Sequence, residues 1–277
     1  MPTAAAEPRR RIRPGAYAVF FALFALVLFL SHLSLLRLPY FWDEAGQFVP
    51  AALDIFHGGH WIPRSVTPNI HPPGVMAYLA LSWWIAGFHP AVTRCAMLLL
   101  STCGVLAAFL LAIELSREAQ GRPAFLAAGM LCASPLFFAQ AMLAQLDAPA
   151  MLFTALALLF FLQDRLSLSV AACMALVVVK ETGMVVPLVF LLWLAHERRW
   201  RDALRFVMPA ALLAVWIAVL ARTTGSWAGN PGFVQYNLNE PAQPVRILVT
   251  LLRRLYYLGV ANPGVIEVWA MYATAAA

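Results

Sequence analysis

The stretch Gly15–Glu44, GAYAVFFALFALVLFLSHLSLLRLPYFWDE, sets the frame for the whole chain. Its first part, Gly15 to Leu36, carries no Asp, Glu, Lys or Arg. It is long enough to cross a bilayer, which takes about 20 mostly apolar residues. Arg9, Arg10, Arg11 and Arg13 precede it, and basic segments stay on the cytoplasmic side. The apolar run is too long for a secretory leader and lacks a small-residue cleavage site. The chain therefore emerges on the outer face at Tyr40, Phe41 and Trp42, residue types that collect at the headgroup level. Asp43 and Glu44 follow at the membrane surface.

The composition extends this reading to the rest. Of 277 residues, 62% are hydrophobic and 12% charged, with a mean hydropathy of +0.77. A soluble domain is nearer half apolar and a quarter charged, so a soluble enzyme, a nucleic-acid module and a disordered tail are all excluded. The net charge of +6 comes from 19 Lys and Arg against 13 Asp and Glu. The basic residues gather in short connectors, which reads as membrane topology rather than as a nucleic-acid partner. Cys95, Cys103, Cys132 and Cys173 lie in apolar runs without CxxC or Cys/His spacing, as small buried hydrophobes do.

The other candidate spans are Val92 to Glu114, Pro123 to Met142, Ala148 to Gln163, Leu166 to Val179, Met184 to Ala195 and Leu204 to Arg222. The shorter ones cross if the bilayer thins or their ends snorkel. Basic connectors hold Arg117 and Arg122, Arg165, and the cluster Arg198, Arg199, Arg201 and Arg205. All of them face the cytoplasm only if His71 to Phe88 does not cross. That segment reads as a juxtamembrane or re-entrant helix on the outer face. The expected fold class is thus an all-α polytopic membrane protein with about seven spans and a long first outer loop. Residues 1–14 form the cytoplasmic basic N-terminus and 15–277 one membrane domain, with outer loops at 37–91 and 223–245 and an outer turn at 143–147.

The residues able to do chemistry sit mainly on the outer side. Asp43 and Glu44 are a carboxylate pair, although a solvated loop start would read the same way. His71 enters a rigid Pro72-Pro73 step, which also serves simply to start a helix. Asp147, with Pro149 two residues on, fits a helix cap. Lys180 and Glu181 interrupt a long apolar stretch, where ionisable groups are paired or functional. Neighbours on a helix do not face one another, so the two read as an outer turn with separate partners. His32, Arg94 and Glu114 near span ends read as snorkelling residues. Arg246, Arg253 and Arg254, beside Tyr256 and Tyr257, form a basic outer segment that fits either an anion or an interfacial anchor.

Together these residues resemble the GT-C glycosyltransferases, membrane enzymes with polyprenyl- or dolichyl-phosphate-linked sugar donors. Asp43-Glu44 and His71-Pro72-Pro73 are similar to the Asp-Glu and His-Pro-Pro motifs of the protein O-mannosyltransferases. Gly59-His-Trp61-Ile-Pro63, Asp147 and Lys180 are similar to positions in the lipid A aminoarabinose transferases. Asp147 also falls where the oligosaccharyltransferase catalytic subunit has its second outer-loop acidic motif. The resemblance covers roughly Leu38 to Pro187. Glu181 departs from it, standing where the lipid A enzymes have Gly, and Ile70-His71 replaces their Glu-Lys before Pro. Those families also run to more spans, so the chain reads as incomplete at its C-terminus, ending within the next span.

The resemblance implies inverting transfer of a sugar from a polyprenyl-phosphate donor to an acceptor hydroxyl at the outer face of the cell membrane. The acceptor class, whether glycan, lipid or protein, stays open. Asp43 is the expected base, and Glu44 orients the acceptor. His71, Lys180, Arg246, Arg253 and Arg254 are the candidates for the donor phosphate. A divalent cation, Mg²⁺ or Mn²⁺, is expected between Asp43 and Asp147, with Glu44 as a further candidate ligand, since hard cations take oxygen ligands. Membrane lipids are the other expected partners. A non-catalytic membrane partner or truncated paralogue is the alternative. A secondary transporter also places charges among short spans, but no internal repeat is visible.

The topology is directly testable. Gly59→Cys and Phe88→Cys, each in a background without the four native thiols, are both expected to react with an impermeant thiol reagent from outside. Labelling at position 88 only after permeabilisation would place a crossing within His71 to Phe88 and overturn the charge argument.

Overall fold

The computed structural model describes residues 14–116, 122–235 and 243–261. The N-terminus 1–14, apart from Pro14, lies outside them, as do the connector at Arg117, residues 236–242 of the loop 223–245 and everything beyond 261. The described residues form helices and no strand: α1 (Pro14–His32), α2 (Val49–Gly58), α3 (Gly74–Ala86), α4 (Pro90–Leu115), α5 (Arg122–Ala133), α6 (Pro135–Gln140), α7 (Asp147–Leu162), α8 (Leu166–Val179), α9 (Val185–His196), α10 (Trp200–Arg205), α11 (Val207–Thr224), α12 (Pro231–Val234) and α13 (Pro244–Tyr256). Three stretches have the length and hydropathy to cross a membrane: Gly15–Leu35, Pro90–Leu115 and Trp200–Thr224. The remaining apolar helices are shorter, at 10–17 residues. At 13 residues α3 is about as short as α8 with 14 and α9 with 12. Length alone does not set it apart; the charge of the connectors does.

One expected span is not continuous. Pro123 to Met142 divides into α5 and α6 at Ser134, whose backbone is extended at φ −62° and ψ 121°. Pro135 imposes this, because the proline ring clashes with a helical residue before it. The chain then turns through 141–146 and re-enters as α7.

Packing follows the apolar pattern in three layers. Phe24 and Leu28 of α1 meet Leu98, Val105 and Phe109 of α4 and Ala128 of α5. Ala157 of α7 packs with Cys173 of α8, Phe190 of α9 and Phe206, and the Phe161 and Phe190 rings stack at 4.0 Å. Between α4 and α7, Gly104 allows close approach, since a Cβ there would lie 2.8 Å from Met151 Cε. In the segment between α1 and α4, Ala52 and Ile55 of α2 cover Val75, Leu79 and Trp83 of α3. Val19, Leu26 and Leu30 of α1 remain 57–66% exposed, as on a face turned to lipid in a membrane-embedded bundle.

His32 does not snorkel. It is fully buried, with Nδ1 2.8 Å from Leu28 O, Nε2 2.9 Å from Phe138 O and its ring stacked on Phe138. The outer end of α1 is thereby tied to α6.

The entry of α3 is the tightest backbone contact toward the site. A Cβ on Gly74 would come 2.6 Å from the Val178 carbonyl oxygen of α8. Gly74→Ala is expected to destabilise the detergent-solubilised protein by about 1–3 kcal/mol, the usual cost of overpacking. Gly46→Ala, where a Cβ meets nothing within 4 Å, serves as the control. Equal melting of the two variants would show that the α3–α8 contact yields.

Candidate active site

The outer loop opens with a strained turn. Trp42 takes a φ of 51° and is 83% exposed, a left-handed conformation uncommon for a bulky residue. It precedes Asp43, after which the chain winds one wide helical turn over Glu44–Phe48 and continues as α2. Asp43 is exposed and makes no hydrogen bond or ion pair among the described residues. Wide turns of this kind recur at functional sites.

Its neighbour has the opposite fate. Glu44 is completely buried, and so is Arg94 of α4. The two form a double-bonded pair: Arg94 Nη1 donates to Glu44 Oε1, and Nη2 donates to Oε2 at 3.0 Å. The same guanidinium donates to Met142 O and Pro39 O, both at 3.1 Å. Glu44 Oε1 also accepts the Ala144 N–H at 2.7 Å. The Tyr40 ring covers the guanidinium at 5.4 Å, and the Tyr40 hydroxyl meets Thr93 Oγ1 at 2.6 Å. Two sequence readings change here. Arg94 is not a snorkelling residue, and Glu44 has no oxygen turned to an acceptor or a cation. Its carboxylate instead joins the exit of α1, the middle of the bundle and the turn that leads to Asp147.

A second pair of contacts meets at one turn. Helix α8 stops because Lys180 is extended, at φ −151° and ψ 122°. Lys180 Nζ then reaches Asp147 Oδ1 at 2.6 Å, with side-chain exposures of 28% and 59%. Next to it, Glu181 Oε2 lies 2.7 Å from His71 Nδ1, with both side chains largely buried. Burial pushes the Glu181 carboxyl up, but the hydrogen bond and charge of His71 outweigh this and hold it below the usual range. The His71 ring packs between Phe48 at 6.1 Å and Phe233 at 6.0 Å. Asn69 Oδ1 accepts the His71 N–H at 3.1 Å, and Trp216 Nε1 donates to Ile70 O at 2.9 Å. Lys180 and Glu181 thus mark a turn with separate partners. Asp147 is no helix cap: it stands inside the first turn of α7, and Leu146 occupies the cap position without a side-chain bond.

The remaining expectations fare differently. Among the described residues, no three His, Cys, Asp or Glu side chains are placed to hold a metal ion. Asp147 carries the Lys180 ammonium, which opposes a cation at the same oxygens. The cation expected between Asp43 and Asp147 would share Asp147 with this ammonium. Arg246, Arg253 and Arg254 lie on α13, where every residue is exposed. Arg253 sits 5.5 Å over the Tyr257 ring. Among the described elements this amphipathic helix packs chiefly against the wide turn Tyr257–Ala261 that follows it. The Gly59–Pro63 segment is fastened by Asp54, whose Oδ2 accepts from Arg64 N at 2.6 Å and from Ser65 N and Oγ at 2.9 Å. Nothing in the sequence singled out Asp54, or the pairing of Glu181 with His71.

The described residues form an ArnT-like helical bundle. Two solved structures of ArnT from Cupriavidus metallidurans carry the same fold: the apo state, with a TM-score of 0.61 over 79% of this chain, and the form bound to undecaprenyl phosphate, with 0.60 over 80%. Both are 21% identical to it. The chain spans under half of their length, 43% and 44%. No protein-family model matches the sequence, and no curated protein matches it either.

The buried pair at Glu44 yields a clear expectation. Arg94→Met should destabilise the protein by about 3–5 kcal/mol, because it strands a buried carboxylate. The double change Glu44→Leu with Arg94→Met should recover most of that loss. A single variant that melts like the parent in detergent would show that Glu44 finds water or another partner.

Proposed function

We propose that the chain transfers a sugar from a polyprenyl-phosphate-linked donor to an acceptor hydroxyl at the outer membrane face, with inversion at the anomeric carbon. The observation that carries this reading is the fold shared with ArnT bound to undecaprenyl phosphate, combined with a turn whose two residues, Lys180 and Glu181, reach Asp147 and His71 respectively.

The chemistry needs a base for the acceptor proton and positive charge for the departing phosphate. Asp43 is the base: it is exposed and uncommitted, and its backbone is held by the buried Glu44 next to it. Lys180 takes the phosphate. Its ammonium is reachable, and its present partner Asp147 is largely solvated, so a lipid phosphate competes with a carboxylate that has water to return to. An exposed pair of this kind holds its partners by about 0–1 kcal/mol. His71 stands on the same turn through Glu181. The outer-face location places these groups where a water-side acceptor and a lipid-side donor meet.

The test is transfer by the protein in nanodiscs from undecaprenyl-phosphate-linked aminoarabinose, mannose and glucose. Asp43→Asn should lower turnover by about 10²–10⁴-fold while affinity for undecaprenyl phosphate is kept. Lys180→Met should weaken undecaprenyl phosphate binding by about tenfold or more, near 1.4 kcal/mol, with melting changed by no more than about 1 kcal/mol. Full turnover in a folded Asp43→Asn variant sinks the base assignment. A Lys180→Met variant that binds the lipid as the parent does removes the phosphate role.

A further inference from the structure

We propose that His71, oriented by Glu181, is the acid that protonates the phosphate of the departing polyprenyl phosphate. The inference rests on the transferase reading above and adds a second proton to it. Glu181 Oε2 sits 2.7 Å from His71 Nδ1, so the hydrogen of that nitrogen is committed to the carboxylate. Nε2 makes no hydrogen bond to any described residue. A carboxylate on one ring nitrogen fixes the tautomer and the orientation of the ring. The proton on Nε2 is then the one that can leave.

The ring is also held still. Phe48 and Phe233 flank it, Asn69 accepts its backbone N–H, and Pro72-Pro73 stiffens the chain behind it. It lines a narrow cleft with Gln47, Asn69, Met76 and Trp216. Side-chain exposures of 20% for His71 and 14% for Glu181 leave the pair shielded but not sealed. The charged groups around it are few. Glu181 and Lys180 come from the turn after α8, and Asp147 of α7 faces Lys180. The α2 and α12 sides present Phe48 and Phe233.

In this reading Lys180 and His71 do different work on the phosphate. Lys180 supplies charge as a compact cation. An imidazole titrates near neutrality and can give its proton away. In the transfer step, the acceptor oxygen bonds to the anomeric carbon as the carbon–oxygen bond to phosphate breaks. The acceptor proton goes to Asp43, and the Nε2 proton goes to the released phosphate oxygen. Glu181 touches no reacting atom and is a positioning residue.

The experiment is the pH profile of turnover for the full chain in nanodiscs, beside undecaprenyl phosphate binding and melting. The parent should lose turnover at high pH as Nε2 gives up its proton. His71→Asn should abolish that basic limb and lower turnover by about 10²-fold or more, with a much smaller change in undecaprenyl phosphate affinity. His71→Lys keeps a cation and should restore binding without restoring turnover. Glu181→Gln should move the basic limb to lower pH, because the anion beside the ring is gone; it carries the test if His71→Asn fails to insert. A basic limb that survives in His71→Asn, one that does not move in Glu181→Gln, or a His71→Lys variant as fast as the parent overturns the acid role alone. A parent that binds undecaprenyl phosphate but transfers none of the three sugars overturns the transferase reading and this inference with it.

Discussion

The buried pair of Glu44 and Arg94 is the contact on which the loop after α1 and the turn before α7 depend. Neither side chain reaches solvent, and Arg94 stands in the second turn of the long helix α4. A charge in that position must be paired, because an isolated one loses its hydration with nothing in return. Arg94 meets this need with four acceptors drawn from three stretches: Glu44, Pro39 and Met142. Glu44 in turn takes the Ala144 N–H. The first outer loop and the turn before α7 are therefore registered on one guanidinium. Asp43 and Asp147 each lie within three residues of a member of that network, so both inherit their positions from it.

The second constraint is local backbone geometry at the end of α8. Had the helix continued through Lys180 and Glu181, the two side chains would point about 100° apart on one cylinder. Lys180 is extended instead, and an extended residue directs its side chain away from that of its neighbour. One side chain can then meet α7 at Asp147 and the other the His71 loop. The two residues that would be expensive inside an apolar span become the hinge between two halves of the site. Gly183 permits the tight turn that follows, since a Cβ there would fall 2.5 Å from Leu176.

These two constraints also divide the carboxylates by role. Glu44 is locked and dry, Glu181 is half-shielded and pinned to an imidazole, and Asp43 and Asp147 face water. Four acidic residues of similar intrinsic chemistry are thus separated by burial and partner alone.

Much of this was legible in the chain itself. Apolar runs determined a helical membrane bundle, because burial in lipid depends on composition over about 20 residues and hardly on neighbours. Proline positions determined where α3 and α7 begin and contain the break at Ser134, although a hydropathy window alone passes over it. The separate partners of Lys180 and Glu181 followed from helix geometry without naming those partners. What only the tertiary structure decided is who meets whom. Arg94 lies 50 residues from Glu44, and Glu181 lies 110 from His71. An arginine or histidine at a span end has the same local signature whether it snorkels to the interface or is sealed inside. Long-range partners settle that choice, and a single sequence holds no record of them.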